Sequence, residues 1–141
     1  MPQLDLLLFV GFALASIVLA SRLSVRRWAR WAQRAADYGT TDILNAKYID
    51  SDEAVMALRS RFDAWSMLVR DSTARFCQED DAFRLQCFDT SASADATGFN
   101  DEHRYIRQAT AERVRRLLDL AARLQDGRTR LRHYWVPRVS D

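Results

Sequence analysis

LLLFVGFALASIVLA, residues 6 to 20, is the stretch on which the fold turns. It carries no charge, and its apolar residues fall on every side of a helical wheel, whereas a helix lying on a globular body shows a polar face. A secretory signal would begin with basic residues and end in a small-x-small cleavage site. Here Met1 to Leu4 have no charged side chain, Asp5 is acidic, and the basic residues come after the run. Arg22 can snorkel, so the apolar segment reaches Leu23 to Val25. Residues 6 to 25 then give about 30 Å of helix, the thickness of a bilayer's hydrocarbon core. The expectation is a transmembrane helix over 6–25, preceded by a short outer segment, 1–5.

Charge gives the orientation. Arg22, Arg26, Arg27, Arg30 and Arg34 follow the span with no acid among them, whereas the other flank offers only Asp5. Basic flanks stay on the inner side, so the N-terminus faces out and the rest of the chain in. Trp28 and Trp31 lie just beyond the span, one helical turn apart. Two readings stand for them: rings at headgroup depth together with Arg22, Arg26, Arg27 and Arg30, or packing against a neighbouring helix. Residues 35–100 then hold six basic and twelve acidic side chains, and 101–141 ten basic and six acidic. A basic collar, an acidic middle and a basic end read most simply as solvated or mutually complementary faces. Nucleic-acid binding by the basic end has no recognised motif behind it. Lys47 is the single lysine, so nearly all the basic chemistry is guanidinium, suited to planar, multidentate pairing.

The rest of the chain reads as helix. Gly is scarce and Pro appears only at Pro2 and Pro137, too few breakers for a β-protein. The first helix continues as a basic extension, 26–39, with Gly39 as a candidate C′ residue. In an acidic helical region, 40–90, Asp50 and Glu53 resemble a capping box. Val55, Leu58, Phe62, Trp65, Val69 and Phe76 follow at helical spacing, with Ser72 filling the one gap. A linker, 91–100, has one anchor, Phe99. An amphipathic helix, 101–126, carries Thr110, Val114, Leu117, Ala121 and Leu124, and Gly127 stops it. The basic aromatic segment 127–141 holds His133, Tyr134, Trp135 and Val136, either a docking segment or local core packing. The fold class is therefore all-α: one N-terminal transmembrane helix running into about three helical segments. The stripes, represented by Val55, Leu58, Phe62, Trp65, Val114, Leu117 and Leu124 with Tyr134 and Trp135, are expected to pack against partner subunits.

A search for chemistry yields no catalytic, cofactor-binding or metal site. His103 and His133 stand far apart without a spaced partner, no Gly-rich phosphate loop occurs, and Glu79, Asp80 and Asp81 lack calcium-loop spacing and read as a solvated turn. Cys77 and Cys87 would lie about 15 Å apart on one straight helix, beyond disulfide reach, although a break near Glu79 to Asp81 would let them meet. Two ordinary thiols are expected. No cofactor and no small-molecule substrate is expected either.

Met1-Pro2-Gln3-Leu4-Asp5, followed at once by a single span, resembles subunit 8 of mitochondrial ATP synthase. The resemblance covers the five-residue motif and about twenty residues of span; residues 40–141 match nothing in that family and exceed the length of its shorter members. It implies a non-catalytic subunit of the Fo sector at the base of the peripheral stalk. That subunit would lie in the mitochondrial inner membrane, with its N-terminus in the intermembrane space and its C-terminal part in the matrix. Its implied partners are the proton-channel subunit, the peripheral-stalk subunits and membrane lipids, with no nucleic acid. A span free of ionisable residues does not carry protons itself. The alternatives are an accessory or assembly subunit of another inner-membrane complex, or a membrane-tethered interaction module.

Overall fold

The structure is a computed structural model, and it describes residues 2–86 and 97–132, with side chains from 10 to 85 and from 97 to 132. Among these residues it is all-helical: α1 (Pro2–Tyr38), α2 (Asp52–Phe76), α3 (Glu79–Gln86) and α4 (Asp101–Gln125), with a π-helical turn, Gly39–Leu44, continuing α1. The 37 residues of α1 make a rod about 55 Å long. Its two halves live in different surroundings. Val10, Phe12, Leu14, Ile17, Leu19 and Leu23 are exposed. From Ser24 onward one stripe goes under: Ser24, Trp28, Ala29, Ala32, Ala35, Ala36 and Gly39, a 3.6-residue rhythm that packs on α4. The alanines in that stripe keep the helices close. Among the described residues no helix is long and apolar enough to cross a membrane; the apolar run starts at Leu6, ahead of Val10, the first residue with a described side chain.

The α-helical part of α1 ends at Tyr38, beside Gly39, as the sequence suggests, but Gly39 is not a left-handed C′ residue. The only glycine with positive φ among the described residues is Gly127, and the chain passes through Gly39 into the π-helical turn. What Gly39 supplies is room: a Cβ there would meet Trp65 Cζ2 at 2.6 Å and Val114 Cγ2 at 3.0 Å. As the turn widens, two carbonyls just before it take side-chain donors. Trp65 Nε1–H donates to the Ala35 carbonyl at 2.8 Å, and the Thr40 hydroxyl to Ala36 at 2.9 Å. The indole thus ties α2 to α1 while its ring fills the space beside Gly39.

The cap of α2 falls one residue later than the capping-box reading. Ser51 is the N-cap, its hydroxyl accepting the Ala54 N–H at 3.2 Å, and Asp52 and Glu53 sit in the first turn, where the helix dipole favours acids. Val55, Leu58, Phe62, Trp65, Val69 and Phe76 are all buried. Thr73, not Ser72, fills the gap in the stripe, its hydroxyl returned to the Val69 carbonyl at 2.8 Å. α4 starts on Asn100, whose Oδ1 accepts the His103 N–H at 2.8 Å, and ends as expected at Gly127, φ 71°. Arg128 N–H donates to the Arg123 carbonyl at 2.8 Å and Gly127 N–H to Leu124 at 3.2 Å, the paired bonds of a Schellman motif.

Two further expectations are corrected. Glu79 to Asp81 open a helix, α3, and Asp81 is 5% exposed. Arg123 pairs with it at 3.1 Å and the Thr129 hydroxyl donates to it at 2.6 Å, so it is a buried tie rather than a solvated turn. Phe99 is half-exposed; the end of the linker is held instead by Asn100 and by the Phe99 N–H, which donates to His103 Nδ1 at 3.0 Å. Beyond α4 the chain returns across the α2–α3 elbow, where Arg132 N–H donates to the Phe76 carbonyl at 2.7 Å and Leu131 bridges to Cys77.

Candidate functional site

The stripes expected to face partners face one another. Leu58, Phe62, Trp65, Leu117 and Leu124 belong to one core together with Trp28, Ala32, Ile43 and Ile106, Val114 packs at its edge, and Val55 is buried as well. The amphipathic pattern measured burial, and three helices of one chain satisfy it. Arg113 of α4 lies across the rings of Phe62 and Trp65, 5.8 and 6.0 Å from their centroids, and hydrogen-bonds Ser66. Trp28 is likewise a core residue, fully buried, and not a ring at headgroup depth. Its neighbour Trp31, 5.8 Å away between centroids, is half-buried. It lines a groove of about 380 Å³ with Tyr38, Trp65 and Leu68. Tyr134 and Trp135 lie outside the described residues, as do His133 and Cys87.

The charged segments are complementary in part. Arg59 pairs with Glu102 and Arg123 with Asp81, joining the acidic middle to the basic end. On the outer face of α4, the guanidiniums of Arg115 and Arg116 hold the Glu112 carboxyl down at about 2. Four arginines of the collar stand apart from this pairing. Arg22, Arg26, Arg27 and Arg30 are exposed, and among the described residues they make no ion pair with the acidic middle.

The collar sits where the apolar rod enters the helical body. There, Ser21, Arg22, Val25 and Arg26 of α1 face Leu124, Gln125 and the Schellman turn, together with Thr129, Arg130 and Leu131, across a groove of about 760 Å³. Sequence reasoning named Arg22 and Arg26 but not Arg130, because 104 residues separate Arg26 from Arg130 and only the packing of α4 on α1 brings them together. Cys77 is a buried free thiol, pushed up to about 12 by burial, with the Asp81 charge adding to the shift; such a thiol is a poor nucleophile. His103 is buried, and its Nδ1 accepts a backbone N–H. No group of three metal-ligating side chains occurs among the described residues. Pro2, Gln3, Leu4 and Asp5 lie in the first turns of α1, without described side chains, and Met1 lies outside the described residues. No protein-family model, curated protein or solved structure matches this chain.

Proposed function

We propose that this is a single-span membrane protein whose helical body stands on the inner face of the membrane as a non-catalytic structural part of a larger complex. The observation that carries the reading is the first half of α1. Phe12 is 75% and Leu19 60% exposed on one side of the rod, and Leu14 58% and Ile17 62% on the opposite side. An apolar surface running right round a helix is the surface of a helix solvated by lipid. The described part, residues 10 to 23, is about 21 Å of helix; with Leu6 to Phe9 before it and Val25 after it, the apolar segment comes to about 30 Å. The arginine collar begins at Arg22, at the end of that segment, where positive side chains favour the inner face.

Within that class, the MPQLD start before the span supports a particular reading: a subunit of the Fo sector at the base of the peripheral stalk of mitochondrial ATP synthase, similar to subunit 8. It would contact the proton-channel and stalk subunits and lipid in the inner membrane. The helical body would hold itself together and offer a partner its surface, including the Trp31, Tyr38, Trp65 and Leu68 groove.

Two measurements test this. Alkaline carbonate extraction and protease protection of terminal tags on sealed membranes read the anchor; both tags on one side, or full extraction, would overturn it. Depletion of the chain, followed by native gels and ATP-driven proton pumping, reads the complex. Loss of assembled or coupled ATP synthase supports the assignment. An intact, coupled synthase without this chain removes it and leaves an accessory subunit of another inner-membrane complex.

A further inference from the structure

We propose that the groove between the collar and the end of α4 holds the phosphate headgroup of one anionic phospholipid. The inference rests on the membrane reading of α1 and adds a specific ligand to it. The groove is lined by Arg22 and Arg26 from one side and Arg130 from the other, with Ser21 and Thr129 also in the lining. Val25, Leu124 and Leu131 give it apolar walls. Guanidiniums are forked donors that match phosphate oxygens. Nothing in the lining is acidic, and the carboxylate of Asp81, hydrogen-bonded to Thr129, is already paired with Arg123.

Position selects lipid over a soluble phosphate. Arg22 and Arg26 are one turn apart at the point where exposed apolar residues give way to buried ones. That point is headgroup depth if residues 6 to 25 span the bilayer, and the acyl chains of a lipid in the groove would run back along Leu19 and Leu23, both exposed. Basic pockets beside spanning helices on the inner side bind anionic headgroups by this geometry. The site is more than a general attraction of a basic collar to an anionic surface, because it needs Arg130, which reaches the groove only through the tertiary fold.

The test uses the full chain in mild detergent, with native mass spectrometry counting retained phosphatidylglycerol against phosphatidylcholine. The wild type is expected to retain one phosphatidylglycerol, undiminished by millimolar inorganic phosphate. The double variant Arg26→Gln/Arg130→Gln is expected to retain it about 30-fold less well, from about fivefold per arginine near anionic lipid. The control Arg61→Gln/Arg75→Gln removes the same charge from α2 and is expected to leave retention unchanged. Equal retention by the groove variant, equal loss in the control, or displacement by inorganic phosphate would each overturn the proposal. A variant whose helical circular dichroism is lost is replaced by Arg130→Lys, which keeps the charge but not the fork and is expected to bind more weakly than wild type; unchanged retention there also counts against the site. Carbonate extraction of the same membranes reads the anchor separately. A chain that stays membrane-bound but retains no phosphatidylglycerol refutes the groove alone, and a chain that extracts refutes the reading beneath it.

Discussion

Gly39→Ala is expected to destabilise the helical body, although alanine is the better helix former. The new Cβ would lie 2.6 Å from Trp65 Cζ2, 3.0 Å from Cε2 and 3.0 Å from Val114 Cγ2, so the indole has to retreat by about 1 Å to recover ordinary contact. It has little freedom to do so. It is 3% exposed, its Nε1 is fixed on the Ala35 carbonyl at 2.8 Å, and Arg113 and Phe62 close its other sides. Overpacking costs about 1–3 kcal/mol and a loosened buried hydrogen bond about 1 kcal/mol more, while leaving glycine in a helix returns about 1 kcal/mol. The net is a loss of about 1–3 kcal/mol, or about 5–15 °C in melting temperature for a body of this size. Thermal unfolding of the full chain in detergent, followed by circular dichroism, measures it. Gly39→Asn separates packing from backbone: asparagine tolerates a left-handed C′ position but is larger than alanine. The packing argument therefore expects asparagine to be the worse of the two, and it is refuted if Gly39→Asn is as stable as wild type. In the same assay, Val114→Ala is expected to recover part of the loss only when combined with Gly39→Ala.

Three further outcomes follow from the buried polar groups. Asp81→Ala leaves Arg123 with only the exposed Asp119 as an ion-pair partner and removes the acceptor of Thr129, so a loss of about 3 kcal/mol is expected in urea unfolding; a change below 0.5 kcal/mol would contradict the buried pairing. Burial, with Arg107 nearby, lowers the His103 pKa below its ordinary 6.5, so its contribution to stability is whole above pH 6.5 and is lost as pH falls through the folded value. Denaturant midpoints at pH 7.5 and 5 are expected to differ more in the wild type than in His103→Gln, and equal differences would sink the assignment. Cys77, buried and raised to about 12, is expected to resist alkylation at pH 8 until the chain unfolds; peptide mapping that finds it modified as fast in the native chain as in denaturant would refute its burial.

The helical periodicities were legible because burial repeats every 3.6 residues whatever does the burying. Val55, Leu58, Phe62, Trp65, Leu117 and Leu124 could therefore be read as buried positions, but not against what. The pattern in each helix is the same whether its partner is another subunit or another helix of the chain, and here it is the chain itself. Trp28 shows the same limit: beside a run of arginines, a ring next to an apolar segment fits a headgroup anchor or a core, and only the seating of α4 on α1 makes it core. The roles of Gly39 and Asp81 were not legible, because local rules, a glycine as C′ residue and an acidic cluster as solvated turn, take no account of side chains arriving from Trp65, Val114, Arg123 and Thr129.

By itself, the sequence determined the all-helical class, the uncharged rod of residues 6 to 20, the arginine collar and the stop at Gly127, because each depends on neighbours within a turn or two. The tertiary structure alone decided that the stripes close on one another, that the π-helical turn makes room for Trp65, and that Arg130 returns to face Arg22 and Arg26. Those are contacts between residues 26 to 108 positions apart, and local periodicity carries no information about which distant surface a face will meet.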